Sequence, residues 1–309
     1  MSFSSDVKRE LISADPGTRE QKYAECYGML LFSSRFSARE IIFKTENHYA
    51  ASRLESLLTD LFAPIIEFQR DLNPEKSKQR LCKLSLPLAE ECKSIFENFG
   101  HTVKDIRLRI NRANLSDESL YVPFLRGVFL SCGSVTDPNK GYHLELSVRH
   151  KTLADNLILL INEIDVFSVK PRLISRKGGY VVYLKGNDSI CDFLGYIGAG
   201  NSVMKMIETS AYKEVINRIN RRHNSELANI RKISDASARQ IHAIKKIIDH
   251  SGVDSLTPEL KELALLRLDN PEMSLKELGE SLSVPISRSG VNHRIERLLK
   301  IADSIQEEL

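Results

Sequence analysis

The stretch Met273–Ala302, MSLKELGESLSVPISRSGVNHRIERLLKIA, reads as two short helices joined by a tight turn. Ser274 followed by Glu277 is a capping box: the hydroxyl accepts an orphan N–H and the carboxylate reaches back to the cap. Leu275, Leu278 and Leu282 then fall on one face at helical spacing. Pro285 interrupts the helix, because it removes a donor and pushes Val284 out of the α region. Ser287 can cap a second helix. In that helix Val291, Ile295, Leu298 and Ala302 make an apolar stripe. Ser289, His293, Glu296 and Lys300 lie opposite it, with Asn292 and Arg297 on its flanks.

A capped short helix, a turn and a second helix with a polar outer face is the layout of a helix-turn-helix. The second helix of such a unit lies in the DNA major groove, N-terminal residues toward the bases. On that reading Asn292 pairs with adenine and Arg288 reaches guanine or phosphate. Arg297 and Lys300 suit phosphates, and Ser274, Ser289, His293 and Arg294 complete the candidate set. Helix pairs of this length also occur in plain bundles, and Gly290 lowers helix propensity near the start, so the pattern alone leaves both readings open. Upstream, Thr257-Pro258-Glu259 offers a cap, an N1 proline and a first-turn acid for a supporting helix. That helix buries Leu260, Leu263, Ala264 and Leu266 and ends before Asn270-Pro271.

The chain of 309 residues has room for two or three domains. Its formal net charge is only +3, so the distribution of charge matters more than the sum. No run approaches the ~20 apolar residues that span a bilayer, and MSFSSDVKRE has no apolar signal-peptide region. Five scattered cysteines without a C-x-x-C spacing point to reduced thiols in a cytoplasm, with neither a disulfide framework nor a zinc site. His223, His242 and His293 have no metal-ligand spacing. No metal, cofactor or small-molecule substrate is expected.

Residues 1–19 read as a short lead-in with room for one helical turn. Helix, strand, helix, two strands and helix follow over about 20–100, with a strand-like connection at 103–110. The order recurs over about 119–198, with a hairpin that turns at Lys177-Gly178-Gly179 before a last helix, Asp188–Ile197. The halves superpose at an offset of about 99 residues: Gly28 meets Gly127 and Leu61 meets Leu160. A duplication of that size implies a pseudo-symmetric α+β domain whose halves share a core.

Within the repeat, LRGVFLSCG (Leu125–Gly133) resembles the LAGLIDADG motif of homing endonucleases, and CYGMLLFSS (Cys26–Ser34) resembles a weaker copy. The resemblance implies two αββαββα halves over residues 20–198, motif helices packed through their glycines, and a saddle of strands. In that family the last acid of each motif holds a divalent metal. Here those positions are Ser33 and Cys132, and the other motif acid is replaced by Leu31 and Leu130. Phosphodiester hydrolysis needs carboxylates to position the ions, so the nuclease centre is missing. Asp137, in a turn, and Glu25, read as an exposed helix glutamate, are weak substitutes. On the second-half hairpin Lys170, Arg172, Arg176 and Lys177 offer secondary DNA contacts or a solvated sheet face. The matching strands of the first half mix Glu67, Asp71 and Glu75 with Arg70, Lys76, Lys78 and Arg80.

Gly198–Ser202 breaks the pattern, and an all-helical segment, residues 199–309, follows. A long basic helix is expected over about 203–232, as one element or two. Between Lys213 and Lys246 nine Lys or Arg face three acids, a local excess of six. Arg218, Arg221, Arg222, Arg231 and Lys232, interspersed with asparagines, suit phosphates. SLKELGE, SRSGVNHR and the upstream NRRHNSELANIRK closely resemble the WhiA family, and the order of parts, degenerate LAGLIDADG first and helix-turn-helix last, agrees. The resemblance implies a non-enzymatic, nucleoid-associated regulator that binds double-stranded DNA through a helix-turn-helix within residues 273–306. It also implies links to sporulation, cell division and chromosome segregation, and a partner such as a WhiB-like regulator or another transcription protein. The rival readings are a LAGLIDADG endonuclease with an accessory DNA-binding tail and a low-specificity nucleoid-coating protein.

Overall fold

The computed structural model describes residues 2–70, 81–105, 107–165, 170–176 and 178–305, which fall into two compact units, 1–213 and 214–309. In the first, α1 (Phe3–Ser13) precedes two copies of one pattern. The first copy is α2 (Arg19–Leu31), β1 (Arg35–Phe36), β2 (Ile41–Thr45), α3 (His48–Phe62), β3 (Glu67–Arg70), β4 (Cys82–Ser85) and α4 (Ala89–Asn98). The second is α5 (Tyr121–Cys132), β5 (Gly133–Val135), β6 (His143–Val148), α6 (Lys151–Asn162), β7 (Arg172–Arg176), β8 (Gly179–Lys185) and α7 (Asn187–Tyr196). Each copy builds one antiparallel four-stranded sheet, in the orders β1-β2-β4-β3 and β5-β6-β8-β7. This is the duplicated αββαββα LAGLIDADG-like fold.

Strand alternation decides which side chains each sheet offers. β2 buries Ile41, Phe43 and Thr45 and turns Lys44 outward; β6 buries Leu144, Leu146 and Val148 and turns His143, Glu145 and Ser147 the other way. The halves join where α2 crosses α5. A Cβ on Gly28 would lie 2.3 Å from the Phe124 carbonyl oxygen, and one on Gly127 would lie 2.2 Å from that of Glu25. The two helices touch backbone to backbone, and only glycine permits that approach.

Three local expectations change. The lead-in is a three-turn helix: Phe3, Val7 and Leu11 of α1, one turn apart, are buried in the same core as both repeats. Glu25 is fully buried, not exposed. The segment 103–110 forms no strand among its described residues. Its described residues pair with no strand; at its end the Ile110 N–H goes to Asn156 Oδ1 (3.2 Å), and the following Asn111 N–H goes to the Tyr27 hydroxyl (2.8 Å). The short strands β1 and β5 carry too few residues to show a period. Asp71, Glu75, Lys76, Lys78, Arg80, Lys177 and the tail beyond Ile305 lie outside the described residues.

The second unit is all helical, a helix-turn-helix domain. α8 (Gly200–Ser251), which begins in the first unit, is a single helix of 52 residues rather than a segment ending near Lys232. Gly252, at φ 74°, closes it by returning its N–H to Ile248 O. α9 (Pro258–Asp269), α10 (Leu275–Glu280) and α11 (Arg288–Ser304) then share a core with the end of α8. α9 buries Leu260, Leu263 and Ala264 as expected, but Leu266 is only half-buried and Arg267 takes the inner position at 2 % exposure.

Candidate nucleic-acid interface

The α10–α11 pair is fixed from both ends. Ser274 and Glu277 exchange both capping-box bonds, with the Ser274 N–H to Glu277 Oε2 at 2.8 Å. Arg267 donates from its buried guanidinium to the Met273 carbonyl at 2.6 Å and sets the entry into α10. Burial lowers the pKa of that guanidinium. The turn is held by Glu262 of α9, whose carboxylate accepts the Ser283 N–H (2.6 Å) and hydroxyl (3.0 Å). Gly279 lets α10 close onto the turn, since a Cβ there would meet the Ile286 carbonyl oxygen at 2.4 Å. Neither Arg267 nor Glu262 stood out in the sequence, because a charged residue inside a helix pattern reads as surface.

α11 buries Val291, Ile295, Leu298 and Ala302, and it exposes Arg288, Ser289, Asn292, His293, Glu296, Arg297 and Lys300. Ser287 caps it by accepting the Gly290 N–H. Asn292 donates its amide to Glu296 at 2.9 Å, one turn along the same face. Two members of the candidate set stand apart. The Ser274 hydroxyl is engaged in its cap, and Arg294 is largely buried beside α9, 3.5 Å from Glu259. Ion pairing with α9 and the helical period place Arg294 away from Asn292.

On α8, Arg218, Arg221, Arg222, Arg231 and Lys232 are all exposed. At about 100° per residue Arg218, Arg221 and Lys232 gather within roughly 60° of one another, whereas Arg222 and Arg231 sit on opposite flanks. Arg222 is also paired with Glu226 at 3.0 Å. On the second sheet Arg172 and Arg176 share the outer face of β7 with Ile174, and Lys170 is exposed ahead of it. Glu145 from β6 reaches Arg176 at 3.2 Å and His143 at 2.8 Å. The run from Val166 to Asn187 has no acid of its own, but register across β8 brings one in. This basic face is therefore partly neutralised.

At the motif ends Ser33 donates its hydroxyl to Arg35 O (3.1 Å), and Leu31 and Leu130 are core residues. The Cys132 thiol donates to Val128 O (3.3 Å), and burial pushes its pKa up to about 12. Beside it Lys8 of α1 donates to Leu130 O at 3.1 Å, and burial pulls the amine down to about 8. A cation-capable side chain thus occupies the neighbourhood where the nuclease motif would gather acids. Glu25 is clamped by Arg53 (2.7 and 3.0 Å), with Arg126 at 3.5 Å. Asp137 accepts from the Asn139 backbone and side chain in its own turn. Among the described residues no three His, Cys, Asp or Glu side chains come together as metal ligands. No described helix is long and apolar enough to cross a membrane.

Comparison with known proteins matches residues 122–216 to the WhiA LAGLIDADG-like domain and residues 219–302 to the WhiA C-terminal HTH domain. The chain is 36% identical over 317 residues to a "Probable cell division protein WhiA" of Thermoanaerobacter sp. (strain X514), covering 99% of both chains. It is 34% identical to the protein of the same name from Clostridium acetobutylicum, over 100% of this chain and 99% of that one. Among solved structures, full-length DUF199/WhiA from Thermotoga maritima matches with a TM-score of 0.59 and 27% identity, over 99% of this chain and 100% of that chain. With both domain types matched in order and end-to-end relatives above 30% identity, the chain belongs to the WhiA family.

Proposed function

We propose that this chain is a non-enzymatic, sequence-specific DNA-binding regulator that acts in the control of cell division, as the names of its relatives indicate for them. The observation that carries the reading is the outer face of α11. Asn292, on the flank of the four buried apolar residues, and His293, opposite them, are exposed in its first two turns, on a helix that Ser287 caps and that follows a turn held by Glu262. A rigid helix with base-reading side chains near its N-terminus is what major-groove recognition requires.

In this reading Asn292 leaves Glu296 and makes its paired bonds to adenine, while the freed carboxylate accepts from a cytosine amine. Arg288 reaches the same groove, and Arg297 and Lys300 meet the phosphates that flank it. The clustered cations of α8 add sequence-independent attraction. The motif domain serves as a platform for DNA or for a transcription partner such as a WhiB-like regulator. Sporulation-type transcription control and chromosome segregation are the processes in which such a regulator would act, at the nucleoid.

What speaks against the endonuclease reading is the motif ends themselves: Ser33 and Cys132 stand where metal-holding acids would, and the carboxylate that lines the cleft beside Cys132, Glu46, lies near the Lys8 amine. Mapping bound sites across the genome with the wild-type chain and with Asn292→Ala tests the proposal. A shared sequence at wild-type sites that vanishes in the variant is the expected result. Uniform coverage by both proteins would instead favour a nucleoid-coating role.

A further inference from the structure

The end of the second motif opens into a cleft of about 730 Å³, a volume in the range of small-molecule sites. Its walls come from α1 and from both repeats. Lys8 of α1 and Lys44 of β2 bring two amines to it, and Glu46 is the one carboxylate among its lining residues. Neither amine is within ion-pair distance of an acid among the described residues. Lys8 is 9% exposed and gives one proton to Leu130 O; an ammonium has three to give. Burial keeps the neighbouring Cys132 thiol protonated, so it adds no charge. Hydroxyls surround the amines. Ser2, Ser4 and Ser5 accept in turn from the Ser5 N–H, the Val135 N–H and the Asn47 amide. None of the three passes its own proton to an acceptor among the described residues. Ser131 Oγ, buried in the same wall, has no partner among them either. Two helices also begin at this cleft, α1 behind its Ser2 cap and α3 behind its Asn47 cap, and helix N-termini favour negative charge.

We propose that this cleft binds a small phosphorylated ligand, a sugar phosphate, with its phosphate at the Lys8 and Lys44 amines and its hydroxyls along the serine rim. Two amines, free hydroxyl protons and two helix starts outweigh the single acid, so the site favours an anion. No aromatic ring lines it, so a nucleobase would find nothing to stack on. The depth of Lys8 suits a free phosphate group better than a phosphate held in the backbone of a duplex. Where the nuclease motif places an acid for a metal ion, this chain would seat an anion between its two repeats. Such a site is independent of DNA recognition by α11.

Isothermal titration calorimetry of the full chain, with inorganic phosphate, ribose 5-phosphate and ribose as probes at matched ionic strength, reads the site. Ribose 5-phosphate should bind with a Kd of about 1 mM or tighter, inorganic phosphate more weakly, and ribose not at all. Lys8→Met should weaken ribose 5-phosphate by about tenfold or more, the loss of a charge-assisted bond. Lys44→Ala, on an exposed side chain, should weaken it while circular dichroism stays that of the wild type. Glu46→Gln should tighten it, a gain that misfolding cannot produce. Absence of heat with both phosphates at about 10 mM overturns the proposal. So does equal affinity in the wild type and in each variant, which would mark an adventitious ion only. If Lys8-dependent binding appears with a DNA duplex alone, the cleft seats a nucleic-acid backbone and the small-ligand assignment falls.

Discussion

Asn292 stands on the outer face of α11 with its amide already given to Glu296. Removing it should cost specific binding about 1–3 kcal/mol, the range for one paired base contact, and leave non-specific binding and folding nearly unchanged. Arg297→Ala, at a phosphate position, should weaken a specific site and a scrambled duplex alike. Binding isotherms on both duplexes at two salt concentrations separate the cases; equal losses for Asn292→Ala would make α11 a backbone clamp. Lys8 allows a test of another kind. Its amine titrates near 8 when folded and 10.5 when free, so between these values the unfolded chain holds a proton that the folded chain lacks. Stability from this group therefore rises with pH across that window. Cys132 acts oppositely from pH 9 to about 12, because the folded thiol keeps its proton. The Lys8 contribution grows by roughly 1 kcal/mol from pH 8 to 9, and the buried thiols Cys26 and Cys132 offset part of it, so in chemical unfolding the wild type should gain roughly 1 kcal/mol relative to Lys8→Met over that window. The outward residues of α11 were readable from period alone. The inward charges Glu25, Arg267 and Lys8 were not, since pattern cannot say which carbonyl or guanidinium will meet them.

At the scale of elements, α8 separates charge into faces that its sequence mixes. If Arg218, Arg221 and Lys232 meet phosphates together, replacing Arg221 and Lys232 with alanine should flatten the log–log salt dependence by about 0.9 per lost contact. Arg222→Ala should change it least, because Glu226 already neutralises that side chain. Non-specific DNA binding at a series of salt concentrations measures both, and an unchanged slope would assign the face to solvent. Helix period and caps placed α9, α10 and α11 within a few residues. They failed for α1, whose three apolar residues gave too little signal, and for 103–110, where alternation was present but the described residues join neither sheet. The basic hairpin was legible as composition, whereas its neutralisation by Glu145 needed the register of β6 against β8.

For the whole molecule, the LAGLIDADG-like domain carries Ser33 and Cys132 at its motif ends. Purified protein should leave supercoiled plasmid intact with magnesium or manganese on an agarose gel. Nicking that disappears with Asp137→Ala would overturn the non-enzymatic reading, whereas loss on Glu25→Ala would not discriminate, because Glu25 sits in a buried cluster with Arg53 and Arg126 whose disruption costs about 3–5 kcal/mol. The glycine crossing bears finally on the order of synthesis. α2 is completed by α5, about a hundred residues later, and α1 is completed by Leu130 and Val135. The first repeat leaves the ribosome with the Gly28 face of α2 lacking the α5 backbone that will cover it, and it must wait in the open for its second half. A fragment of residues 1–118 should accordingly show no cooperative thermal transition, while residues 1–213 should. The pseudo-twofold axis that makes the domain symmetric in space makes its assembly strictly one-directional in time.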